Sequence, residues 1–182
     1  MEKTTIPVMG HAQLRRRVVL AGAGLLALGV TGAAHAAAGP VQILYGREFP
    51  DLQARITPMS SFLGAPLLLN FWASWCAPCV REMPDLDALH QRHPHVQVVG
   101  LAVDTADNVR RFGEKVQVSY PILVAGHPGI ALMKQLGNPR GGLPFTVLFD
   151  AHGSISRHWL GEVDPERLDT IMAGLGKSAS GQ

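Results

Sequence analysis

Leu67-Leu68-Leu69-Asn70-Phe71-Trp72-Ala73-Ser74-Trp75-Cys76-Ala77-Pro78-Cys79-Val80-Arg81-Glu82-Met83-Pro84 is the stretch on which the rest of the chain is read. Its first six residues form a nearly unbroken apolar run, the pattern of a strand buried on both faces. Its second half, from Ala77, places Val80, Met83, Leu86 and Leu89 at helical spacing up to about His93. Both cysteines of the protein lie where strand gives way to helix, separated by two residues. Two thiols at that spacing can close into a disulfide if the backbone folds back at the helix start. The first of them then meets the unpaired N–H groups and the positive end of the helix dipole, which favour thiolate over thiol.

Cys76 is therefore the candidate nucleophile and Cys79, one turn further in, the candidate resolving thiol. Pro78 falls in the first helical turn, where the missing N–H costs no hydrogen bond and the ring stiffens the backbone. Trp72 and Trp75 flank the pair. One reads as core, while Trp75, next to Cys76, reads as shielding the disulfide or contacting a partner. A purely structural disulfide is a poor alternative, because closing so small a loop removes little entropy from the unfolded chain. Zinc is a poor one too: no second cysteine pair follows, and His90, His93 and His95 read as a polar helix end running into Pro94. No metal and no cofactor beyond the redox-active disulfide is expected.

At these residues the chain resembles the thioredoxin superfamily, and within it the TlpA/ResA-like thiol:disulfide oxidoreductases of bacterial envelopes. The segment from Asn70 to Cys79, with Glu82 and Pro84 after it, carries the resemblance, as do Phe49-Pro50-Asp51-Leu52 and Gly142-Leu143-Pro144-Phe145-Thr146-Val147-Leu148-Phe149-Asp150. It extends from about Phe49 to about Leu175. Pro144, ahead of a β-rich run, reads by itself only as a strand-opening proline. The resemblance makes it a cis-proline facing the disulfide, with Leu143 beside it in the surface that binds an extended segment of a partner. It also implies that a buried Asp of ordinary thioredoxins, on the strand before the first cysteine, is replaced here by Asn70. Asn cannot take a proton, so either water or another group such as Glu82 serves Cys79, or the need for such a group is smaller in this subfamily. Glu82 also reads as a surface carboxylate placed in the first helical turn by the macrodipole.

The N-terminus has a different character. Arg15-Arg16-Arg17 precedes an uncharged stretch from Val18 to Ala34 that ends in Ala34-His35-Ala36, the form of an exported leader with a cleavage site after Ala36. The adjacent arginines raise the twin-arginine route. An uncleaved anchor is the alternative, although the apolar stretch is shorter than the roughly 20 residues that span a bilayer. Residues 1–36 are thus read as leader or anchor, 37–176 as one thioredoxin-like domain and 177–182 as a flexible tail.

Without the leader the charge balance reverses. The sequence has 16 Lys+Arg and 14 Asp+Glu; residues 1–36 hold Lys3, Arg15, Arg16, Arg17 and the acid Glu2, which leaves 12 against 13 and a formal charge of −1. No basic surface for nucleic acid is expected.

Further along, Val96–Val103 reads as a strand, Asp107–Val116 as a helix capped by Asp107, and Phe145–Phe149 as a strand. Asp150-Ala151-His152-Gly153 forms a turn into a strand over Ser154–Leu160, and Asp164-Pro165 opens a last helix that ends near Gly174 and Gly176. Pro121–Asn138 adds a short strand and a helix near Gly129–Leu136. The fold class is α/β: a thioredoxin-like mixed sheet flanked by helices, with a small inserted strand-helix segment.

The function expected is that of a periplasmic thiol:disulfide oxidoreductase, a reductase of protein disulfides recharged by a membrane thiol donor, with apocytochrome c among the substrates that the resemblance implies. Membrane association would come only from an uncleaved leader. An oxidase or isomerase on the same site is one alternative. A copper-delivery protein of this fold would carry three residues between its cysteines, where this chain has two. A peroxidase would need an activated cysteine in another loop context, and a binding module would leave the disulfide idle.

Overall fold

The computed structural model describes residues 40–179, so the leader read over residues 1–36 and the end of the tail, residues 180–182, lie outside the described residues. The described residues open with a short helix α1 (Pro40–Tyr45) and a hairpin of β1 (Glu48–Pro50) and β2 (Ile56–Pro58), none of which the sequence reading contains. These elements are three to six residues long, too short to show a period.

The main sheet follows. It comprises β3 (Leu67–Trp72), β4 (Gln97–Ala102), β5 (Ile122–Val124), β6 (Phe145–Phe149) and β7 (Ile155–Leu160), in the order β5-β4-β3-β6-β7. β3, β4 and β5 are parallel, whereas β6 and β7 run antiparallel, giving the mixed sheet expected. Between the strands lie α2 (Ala77–Arg92), α3 (Ala106–Gly113), α4 (Gly129–Gln135) and, at the end, α5 (Pro165–Ala179). β5 and α4 are the inserted strand-helix segment.

β3 is buried at every position, which explains its unbroken apolar run. Side chains alternate across a strand, so Leu67, Leu69 and Phe71 enter one core with α1 and α4, through Leu44, Leu132 and Met133. Leu68 faces the opposite side, with Leu86 and Leu89 of α2 and Leu168 and Met172 of α5. Trp72 packs there with Met83, Val109 and both cysteines. Burying one such side chain contributes on the order of 1.5–3 kcal/mol. The same alternation turns Asn70, between Leu68 and Trp72, toward α2.

Gly100 belongs to this packing. It pairs with Asn70 and Ile122 in the sheet, and a Cβ there would lie 2.6 Å from Ile122 Cδ1 and 3.2 Å from Trp72 Nε1. Only a residue without a side chain lets the indole lie so close to β4.

Two boundaries differ from the sequence reading. α3 begins at Ala106 and is capped by Thr105, whose Oγ1 accepts from Asn108 N at 3.3 Å; Asp107 instead lies in the first turn and pairs with Arg110. Thr105 has the extended backbone that a cap requires, and the helix stops at Gly113, short of Val116. α5 starts at Pro165 as expected, with Asp164 Oδ1 accepting from Glu166 N and Arg167 N, but it runs through Gly174 and Gly176 to Ala179. The flexible tail assigned to 177–182 is therefore helical at its start. α2 runs from Ala77 through Pro84 to Arg92, one residue short of the expected end at His93.

Candidate active site

The end of β3 delivers the chain to a tight turn, in which Cys76 N donates to Ala73 O at 3.1 Å, and α2 begins immediately after it. Cys76 is the N-cap residue of α2. Its Sγ accepts from Cys79 N at 3.3 Å, so the sulfur occupies the place that a capping oxygen takes in other helices. Cys76 and Cys79 are joined as a disulfide with Cα atoms 5.3 Å apart. Both are buried, Cys79 fully and Cys76 with 5% of its surface exposed. Pro78 occupies the first turn of α2.

The two tryptophans divide as the sequence reading anticipates. Trp72 is buried against Phe112, with ring centroids 5.1 Å apart, whereas Trp75 is 69% exposed beside Cys76. The Leu143–Pro144 peptide bond is cis. Pro144 is buried, its carbonyl accepts from Gly161 N at 2.9 Å, and Leu143 packs against the cluster that contains both cysteines.

Glu82 departs from the surface reading. It is one turn beyond Cys79, not in the first turn of α2, and it is buried. Its Oε1 accepts from Asn70 Nδ2 at 2.8 Å and its Oε2 from Val163 N at 3.1 Å. Asn70 Nδ2 also donates to Thr146 Oγ1 at 2.9 Å. Loss of water around Glu82 pushes its pKa up to about 7 from the ordinary 4.5; the bonds from Asn70 and Val163 oppose the rise, and the charges of Glu162 and Asp85 add to it. A buried carboxyl that titrates near neutrality can exchange a proton at the pH where thiols react. Asn70 carries no such proton, but its amide orients the Glu82 carboxyl.

Two members of this arrangement escaped the sequence reading. Thr146 looks like an ordinary strand residue until β6 is known to pair with β3, where Asn70 and Thr146 stand opposite each other. Asp104, at the end of β4, is buried and accepts from Ser74 in the active-site turn. Its signal was present in the sequence as an acid directly after an apolar strand.

His90, His93 and His95 do not come together as a set: the His93 and His95 rings meet edge to face with centroids 5.6 Å apart, while His90 packs against Tyr120. His93 Nε2 lies 2.7 Å from Asp169 Oδ1 and His95 Nε2 lies 2.9 Å from Met172 O, both tying α2 and the loop after it to α5. Among the described residues, no group of three or more His, Cys, Asp or Glu could hold a metal ion, and no helix is long and apolar enough to cross a membrane.

Comparison with known proteins agrees with this geometry. A model of the AhpC/TSA family matches residues 45–165. The chain is 29% identical over 152 residues to the thiol-disulfide oxidoreductase ResA of Geobacillus thermodenitrificans, covering 79% of this chain and 85% of that protein. It is 29% identical over 135 residues to ResA of Bacillus thuringiensis, covering 70% and 76%. Among solved structures it is similar to a thioredoxin-related protein from Neisseria meningitidis serogroup B, with a TM-score of 0.63, 31% identity and coverage of 71% of this chain and 99% of that one. It is similar also to MTB dsbF, with a TM-score of 0.64, 25% identity and coverage of 76% and 99%.

Proposed function

The chain belongs to the AhpC/TSA family of thioredoxin-like proteins and is a thiol-disulfide oxidoreductase, and from that premise we propose that it works outside the cytoplasm as a reductase of protein disulfides. The observation that carries the reading is the seat of Cys76: a sulfur at the N-cap of α2, within reach of Cys79 N and bonded to a buried second cysteine.

In the reduced protein, Cys76 Sγ as thiolate attacks one sulfur of a partner's disulfide. A new S–S bond forms to Cys76, and the partner's other sulfur leaves as a thiolate that takes a proton. Cys79 then gives up its proton and attacks Cys76 Sγ, which forms the intramolecular disulfide and releases the partner's second thiol. The partner has gained two electrons and two protons, and this chain has lost them. A dithiol donor on the membrane restores the reduced pair by the same exchange in reverse order.

Glu82 is the group we assign to the proton of Cys79. It sits one turn along the same helix, is held by Asn70 and Val163, and titrates near neutrality. Trp75 and the Leu143–Pro144 segment form the surface against which the partner's chain lies, because Trp75 is exposed beside Cys76 and Leu143 packs against the cysteine cluster. Apocytochrome c, with two closely spaced cysteines to be kept reduced, is a substrate of the right chemistry. The leader read in residues 1–36 supports an extracytoplasmic, periplasmic setting.

Reduction of insulin disulfides by dithiothreitol tests the reading. The wild-type protein accelerates it and Cys76→Ala does not. Equal rates with and without the protein would overturn the assignment. Exchange is reversible, so the same site would serve a disulfide donor if the oxidised form were the less stable one; the reduction potential separates the two.

A further inference from the structure

We propose that Asp104 is a positioning residue for the reacting thiol: its carboxylate clamps Ser74 and thereby holds the turn Ala73–Cys76 that seats Cys76 at the start of α2. The consequence for reactivity rests on the oxidoreductase reading above, whereas the clamp itself is a matter of geometry.

Asp104 follows β4 and is only 4% exposed. Oδ2 accepts from both Ser74 N, at 3.1 Å, and Ser74 Oγ, at 2.6 Å. Oδ1 accepts from Thr105 N at 2.7 Å and from Asn108 Nδ2 at 2.8 Å. One carboxylate therefore joins the active-site turn to the first turn of α3. Four donors converging on two oxygens fix the orientation of the group and leave it little freedom to follow a moving turn. Burial would raise the pKa of Asp104, but the bonds from Ser74, Asn108 and Thr105 outweigh it and hold the carboxyl below the usual range, so it stays ionised wherever thiol chemistry occurs.

Ser74 is an interior residue of the turn, which Cys76 N closes on Ala73 O. Two residues after Ser74 comes the sulfur whose nearness to Cys79 N gives it the helix-terminus environment. A thiolate is favoured only while the sulfur remains over the unpaired N–H groups, since the dipole effect fades within the first turn. Loosening the turn thus weakens thiolate stabilisation even though Asp104 and Ser74 never touch a substrate.

The test is the pH profile of Cys76 alkylation by iodoacetamide in the full-length Cys79→Ser protein, which has a single thiol. Ser74→Ala removes the hydroxyl and leaves the Asp104 charge in place, so it isolates position from electrostatics. Its profile should move to higher pH, with a rate at acidic pH lower by about threefold, the change that half a pKa unit produces. Ser74→Thr should restore the profile. Profiles for Ser74→Ala and Asp104→Asn that superimpose on the parent, with only a lower melting temperature, would overturn the proposal and leave Asp104 a structural residue. No partner protein enters this measurement, so it decides the clamp even where wild-type protein fails to reduce insulin, a failure that would count against the oxidoreductase reading alone.

Discussion

Asn70 Nδ2 donates a 2.8 Å hydrogen bond to Glu82 Oε1, so that a residue from the central strand holds a buried carboxyl one turn beyond Cys79. The amide lies where the resembled thioredoxins carry an acid. On the proposal that Glu82 serves the proton of Cys79, that group stands on the helix, 12 residues along the chain from the strand position of Asn70.

This placement makes stability depend on pH in an unusual direction. In the unfolded chain the Glu82 carboxyl titrates near 4.5 and in the folded protein at about 7. Between these values the folded state keeps a proton that the unfolded state has lost. Stability therefore falls as pH rises through this window, by about 3 kcal/mol in total, and the loss is complete above the folded value. Urea unfolding at pH 4.5 and pH 8 should show this decline in the wild-type protein and a flatter dependence in Glu82→Gln. Identical slopes in both would mean that another group titrates.

The two cysteines should behave differently when removed singly. Cys79→Ser, lacking the resolving thiol, should accumulate a mixed disulfide with a disulfide-bearing protein, visible on a non-reducing gel. Cys76→Ser should form almost none, because the remaining thiol is fully buried at Cys79. Trapping through Cys79 would reverse the assigned roles.

Trp75→Ala separates partner contact from stability. With 69% of its surface exposed, Trp75 contributes little to the core, and its loss should change unfolding free energy by no more than about 0.5 kcal/mol. The KM for a protein disulfide should rise while the alkylation rate of Cys76 stays the same. An unchanged KM would remove Trp75 from the binding surface.

Gly100→Ala should do the opposite. The added methyl would press on Ile122 and the Trp72 indole, and overpacking of this kind costs about 1–3 kcal/mol. A melting temperature equal to the wild-type value would show that the neighbours give way freely.

Much of this was legible in the sequence because the decisive signals are local. Leu67–Trp72 is apolar but for Asn70 because β3 is the middle strand of five, and Met83, Leu86 and Leu89 keep helical spacing because α2 packs one side on the sheet, whereas Val80 is only half-buried. The cysteine pair announces its chemistry by spacing alone. The remainder depended on contacts between distant residues. Glu82 looks like a surface acid at a helix start until Val163 and Asn70 enclose it. Thr146 and Asp104 acquire meaning only from pairing across the sheet and from the turn at Ser74. The cap of α3 was misplaced because Thr105 and Asp107 are both capping residues, and only backbone geometry distinguishes them.

The central claim is that Cys76 and Cys79 form a reducing dithiol, and the reduction potential of that pair tests it most directly. The purified protein would be equilibrated in dithiothreitol or glutathione buffers and its oxidised fraction read after acid quenching. A value near or below about −270 mV is the result the reductase account predicts. A value near about −120 mV would contradict it and make the protein a donor of disulfides.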